Sequence, residues 1–205
     1  MSDTSHNKHL VLAYEKTFAA RLARPVLNKP KLSSWMIFIP FIFVFYFQDL
    51  SKYKKNSRSF KDNYLLTRKK ALEEAFLAIE EARKPETKPI ANQAGLNGKS
   101  TEMYAQLLAV LTEHYAALLK SEGNTYEELV KSAYGSKKTN FMLFVNRLSQ
   151  VEKQLNKALA PGLKKDGNGI NDTIGKMEKF SEQLRREDIR WIYGGSGKKG
   201  STANS

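Results

Sequence analysis

His6, His9 and His114 are the only histidines in this 205-residue chain, and with four adjacent acid pairs they are the side chains from which acid–base or metal chemistry would be built. Their spacing argues against both. His6 and His9 sit three apart at a helix end that frays, a poor metal site. His114 lacks the Glu-x-x-His spacing by which helical bundles offer a carboxylate and an imidazole to one metal. It shares a face with Met103, Leu107, Val110, Leu111 and Leu118, so the expectation is a hydrogen-bonded core histidine. Glu73 and Glu74, Glu80 and Glu81, Glu127 and Glu128, and Glu187 and Asp188 are sequence neighbours. On a helix such neighbours diverge by about 100° and do not converge on a substrate, so these pairs read as solvated faces. The chain has no cysteine, which excludes disulfides, thiolate zinc sites and thiol catalysis.

Arg185 to Trp191, RREDIRW, mixes cations with an aromatic, as contacts to nucleic acid or lipid headgroups do. The simpler expectation is a charged helix surface with Ile189 and Trp191 packing inward. GLNGKST at 95–101 resembles the end of a phosphate-binding loop, but the position of that pattern's first glycine is Gln93, and prolines precede it instead of a strand. Ser100 and Thr101 are expected to cap the helix that begins there. Residues 125–148 can be arranged as a helix-turn-helix around Gly135. Its second helix would open with Phe141-Met142-Leu143-Phe144, where base-reading polar side chains should stand. No catalytic, cofactor-binding or metal-ligating residue is assigned, and the expectation is a non-enzyme without a cofactor.

The strongest element signal is apolar. Trp35, Met36, Ile37, Phe38, Ile39, Pro40, Phe41, Ile42, Phe43, Val44, Phe45, Tyr46 and Phe47 form 13 consecutive apolar residues, seven of them aromatic. As a helix this run is ~20 Å long, or ~24 Å with Leu32 to Ser34, against a hydrocarbon thickness of ~30 Å. Pro40 lacks an amide hydrogen and would kink it. Arg24, Lys29 and Lys31 precede the run, while Lys52, Lys54, Lys55, Arg58 and Lys61 follow it, as headgroup-binding flanks do. Two topologies stay open, a proline-bent re-entrant dip and a short single span. Residues 1–31 carry six positive and two negative charges of a total net charge of +13, so neither flank looks like the translocated one. The proline bend with basic flanks resembles membrane-dipping lipid-linked sugar transferases, but their adjacent Asp-Glu catalytic pair has no counterpart here.

The remainder reads as helix. Leu10, Tyr14, Phe18 and Leu22 fall at four-residue steps and predict an amphipathic helix over 6–24, which would lie on the bilayer or pack on the rest of the chain. Leu50, Tyr53, Phe60, Tyr64, Leu65, Leu72, Phe76 and Ile79 predict a helix over 48–83, a stalk of ~54 Å ended by Pro85 and Pro89. A loop or linker is expected at 85–99. Further helices are expected from Thr101, over 125–133 with Thr125 and Glu128 as a capping box, from Phe141 to Pro161, and from Asp172. No alternating strand pattern appears.

The fold class is therefore expected to be all-α: an amphipathic N-terminal segment (1–31), a membrane-inserting segment (32–47), a helical stalk and antiparallel bundle (48–193), and a glycine- and serine-rich tail (194–205). The functional expectation is a non-enzymatic, membrane-anchored scaffold or accessory subunit on the cytoplasmic face, with anionic lipid and proteins of a membrane assembly as partners. The alternative is a soluble, basic nucleic-acid-binding protein whose apolar run is core.

Overall fold

Apolar residues recurring at three- and four-residue steps through the middle of the chain form the helix around which the others pack. The computed structural model describes residues 3–27, 57–163 and 170–194. Seven helices occur among them: α1 (Thr4–Leu27), α2 (Ser57–Glu80), α3 (Thr87–Asn92), α4 (Lys99–Leu119), α5 (Tyr126–Tyr134), α6 (Lys138–Leu163) and α7 (Ile170–Tyr193). There is no strand among the described residues, so the all-α class holds. Helices α1, α2, α3, α5 and α6 all touch α4. That central position is why α4 is buried over much of its circumference, with Tyr104, Leu107, Leu108, Leu111, Tyr115 and Leu118 inside.

Pairings between helices fix their directions. Lys8 meets Glu73 at 2.7 Å, Glu15 meets Arg68 at 2.8 Å, and the Phe18 and Tyr64 rings lie 6.0 Å apart. Rising numbers in α1 thus face falling numbers in α2: the two are antiparallel, and Leu27 and Ser57 lie at the same end of the bundle. Helices α6 and α7 are antiparallel through Ser149–Arg185 at 2.9 Å, Lys153–Glu182 at 2.5 Å and Asn156–Glu178 at 3.0 Å. Helices α4 and α6 are antiparallel through Ser100–Ala158 at 3.2 Å and Glu113–Arg147 at 2.7 Å.

Helices α2 and α4 instead run in the same sense, Thr67 facing Tyr104 and Ala71 facing Thr112. Residues 81–98 are therefore a crossover that returns along the bundle. The sequence read 85–99 as a loop, yet α3 lies inside it. Ala91 and Ala94 are buried, and a buried backbone must satisfy its own hydrogen bonds, which a short helix does.

Helix ends follow local chemistry. Helix α2 stops before the prolines. Ala82 adopts φ 50°, with the Arg83 N–H donating to Ala78 O at 3.0 Å and the Ala82 N–H to Ile79 O at 3.2 Å, a Schellman ending. Thr125 Oγ1 accepts the Glu128 N–H at 3.2 Å, as the capping box predicts, but the Glu128 carboxylate takes the Asn124 N–H at 2.7 Å, one residue beyond the usual partner. The expected capping of α4 by Ser100 and Thr101 is replaced. The N-cap is Gly98 with no side-chain bond, because Ser100 donates to Ala158 O on α6 and Thr101 to Leu96 O in the crossover. Helix α6 passes through Pro161, in its last turn, where a missing amide costs one hydrogen bond.

Helix α1 packs into the bundle, burying Val11, Phe18, Ala19 and Leu22. The apolar run at 32–47, the start of the expected stalk at 48–56, residues 164–169 and the expected tail from 195 lie outside the described residues. No helix among the described residues is long and apolar enough to cross a membrane.

Candidate functional site

The membrane-inserting residues Trp35 to Phe47 and the cations Lys29, Lys31, Lys52, Lys54 and Lys55 lie outside the described residues. Arg24 falls within the backbone of α1, and Arg58 and Lys61 within that of α2, with their side chains outside the described set. What the structure adds is a chain of buried charges through the centre of the bundle. Arg68 on α2 is 5 % exposed and Arg185 on α7 6 % exposed. The Arg68 guanidinium reaches Glu15 on α1 at 2.8 Å and Glu152 on α6 at 3.2 Å. Arg185 grips the same Glu152 at 2.7 Å and donates to Ser149 Oγ at 2.9 Å, while Tyr115 on α4 donates to Glu15 at 2.7 Å. Two arginines and two glutamates whose charges cancel tie four helices, and the Tyr115 hydroxyl adds α4 as a fifth.

Burial would push the Glu152 carboxyl up, but the Arg185 and Arg68 guanidinium groups hold it below the ordinary carboxylate range. Arg68 Nε is close to Glu15 without the alignment of a hydrogen bond, and the Tyr64 hydroxyl is buried with no hydrogen-bond partner among the described residues. A cavity of about 30 Å³ lies beside them, enough for about one water molecule. The Arg68 guanidinium also covers the Tyr64 ring at 4.0 Å.

A second cluster joins α1 to α7. Tyr14 donates to Asp188 at 2.7 Å, Arg21 pairs with Asp188, and Arg21 reaches Glu187 at 3.0 Å. These contacts correct the reading of RREDIRW as a charged surface with Trp191 inside. Arg185 and Asp188 are buried, and Trp191 is 55 % exposed. Residues 185, 188, 189 and 192 share the inward face, and 191 falls off it. The acid pairs divide in the same way. Glu74 is buried against Arg83 at 2.6 Å and accepts the Glu86 N–H at 2.7 Å, whereas Glu73 faces outward.

His114 is the core histidine its apolar face predicted. Its Nδ1 shares a hydrogen bond with the Tyr134 hydroxyl at 2.8 Å, and its ring stacks on Phe144 with centroids 3.9 Å apart. Burial holds the imidazole down at about 3, so the ring is neutral. Burial also pushes the hydroxyls of Tyr14, Tyr115 and Tyr126 up. His6 and His9 lie exposed on the first turns of α1.

On the surface, an open groove of about 650 Å³ runs between α6 and α7. Val145 and Ile189 form its floor, with Met142 at one end. Asn146, Gln150 and Gln154 follow at four-residue steps along α6, exposed. Lys153 crosses to Glu182, while Lys157 and Arg186 edge the groove without a carboxylate partner among the described residues. Leu143, 63 % exposed, lies beside Met142 in the sequence. The groove was not read from the sequence, although the amide row at 146, 150 and 154 was its visible sign.

Comparison with protein-family models, with curated proteins and with solved structures finds no match to this chain.

Proposed function

We propose that this protein is a membrane-anchored, non-enzymatic helical scaffold or accessory subunit on the cytoplasmic face, held by a proline-bent dip of residues 32–47 into one leaflet. Anchoring rests on the 13-residue apolar run with its basic flanks, and the observation that favours a dip over a single crossing is the antiparallel pairing of α1 and α2. A single crossing between them would put the two helices on opposite sides of the bilayer, where Glu15 could not reach Arg68. A dip enters and leaves one face, which is what two packed neighbours at either end of the apolar run require. The basic flanks agree, since each cation near an anionic surface adds about 1 kcal/mol of attraction. The non-enzymatic part rests on the interior: its charged groups are engaged with one another, and His114 is driven far from the neutral range in which a general base works.

Because the chain has no cysteine, single cysteines report sidedness cleanly. Ala13→Cys on α1 and Lys69→Cys on α2 are exposed positions. Both are expected to resist a membrane-impermeant maleimide in intact cells and to react together after permeabilisation. Labelling of one without the other would overturn the dip. In fractionation, Phe41→Asp with Phe43→Asp is expected to move the protein from the membrane pellet to the supernatant. Changing Lys52, Lys54, Lys55, Arg58 and Lys61 to Gln is expected to loosen attachment. A double Asp variant that still pellets rules out insertion by this run.

A further inference from the structure

We propose that the groove between α6 and α7 is a docking site for an acidic amphipathic helix of a protein partner. From Met142 to Lys157 the α6 wall extends about 22 Å, some four helical turns. That length, open along one side, suits an elongated guest better than an enclosed small molecule. Val145, Ile189 and Met142 offer an apolar floor for one face of such a helix. Asn146, Gln150 and Gln154 each present both a donor and an acceptor to its polar flank.

Charge selects the sign of the partner. The groove lining carries three cations, Lys153, Lys157 and Arg186, against one carboxylate, Glu182, a local excess of positive charge. Lys157 and Arg186 have no carboxylate partner among the described residues, so an acidic guest would supply one. The Lys153–Glu182 bridge is half-exposed, the kind of pair that reopens readily. Nucleic acid fits less well. Tracking a strand uses aromatic side chains for stacking, and the groove lining has none, Trp191 lying about 200° around α7 from Ile189.

The test uses the full chain, in the cells that express it, with a photo-crosslinking phenylalanine analogue replacing Gln150 and a control at Lys69. The cross-linked residues are sequenced by mass spectrometry. The expected adduct joins Gln150 to an amphipathic segment of another protein with carboxylates three or four residues apart. Its yield should fall at least tenfold in Lys157→Glu with Arg186→Glu and return when those carboxylates are changed to Lys. The neutral pair Lys157→Gln with Arg186→Gln should lower it in the same direction, which separates lost binding from lost folding. An adduct to this chain's own residues, to a second copy, to lipid or to nucleic acid overturns the proposal. So does a yield that ignores charge reversal, or one no higher than at Lys69. The result is read whether or not the chain pellets with membranes, so it stands or falls separately from the anchoring.

Discussion

At His114 burial sets the charge state, with a smaller push in the same direction from the Arg68 guanidinium: the imidazole titrates at about 3 in the fold and near an ordinary 6.5 in the unfolded chain. Above pH 6.5 both states are neutral and the residue has no effect on stability. Below it the unfolded chain gains a proton that the folded chain refuses, so stability falls as pH falls from 6.5 toward 3. At pH 5 the loss from this residue is about 2 kcal/mol. His114→Gln keeps a hydrogen-bond partner for Tyr134 and removes the titration. Between pH 7 and pH 5 its melting midpoint should fall less than that of the natural chain, as followed by circular dichroism; equal slopes would mean that the folded ring accepts the proton. Glu152, whose carboxyl is depressed, acts in a lower window, its contribution being lost only as pH falls below about 4.5. The role of His114 was legible because its own helix supplies the apolar face. That of Arg185 was not, because Glu152 and Ser149, which make its burial tolerable, belong to another helix, and pairwise distance is absent from a linear pattern. Trp191 misled for a related reason: large aromatics usually lie inside, but register decides, and Ile192 holds the inward place.

The helices themselves were read well where apolar period and capping residues agree, as in α5, expected over 125–133 and found at Tyr126–Tyr134. They were read less well where an end is set by backbone geometry. Helix α2 was expected to run to 83, where the prolines approach, and it stops at Glu80 because Ala82 turns left-handed. An L-residue in that conformation costs roughly 1–2 kcal/mol, and the position gave no warning because glycine is its customary occupant. Part of the cost is offset by alanine's smaller loss of chain entropy on folding. Ala82→Gly should therefore stabilise the fold by about 0.5–1 kcal/mol, seen as a higher melting midpoint. Ala82→Val, with a branched side chain in the same conformation, should lower it. If glycine destabilises, the Schellman ending is not what terminates α2. The crossover at 81–98 escaped for a similar reason, since its prolines and glycines describe a connection without saying how far it must travel.

For the molecule as a whole, the class and the helices other than α3 were legible, while the parallel pairing of α2 with α4 and the ionic chain through the centre were not. Hydrophobic period says that a helix has an inward face but not which helix it faces, so packing order waits on three dimensions. The ionic chain makes that order specific. Arg68 is the joint at which α1, α2 and α6 meet, and its removal leaves Glu15 buried without a cation and Glu152 with Arg185 alone. Arg68→Met should cost about 3–5 kcal/mol, most of it the penalty of burying uncompensated charge. Adding Glu15→Gln removes one stranded charge, leaves Tyr115 an amide oxygen to donate to, and leaves Glu152 its partner Arg185. The double variant should thus be more stable than Arg68→Met alone, within about 1–2 kcal/mol of the natural chain. Urea denaturation of the natural chain and of the two single and one double variant closes the cycle. A strongly non-additive result with the double above the Arg68 variant means that the buried charges act as one unit; losses that simply add would mean that each residue packs on its own and that the helix order is held by the apolar core alone.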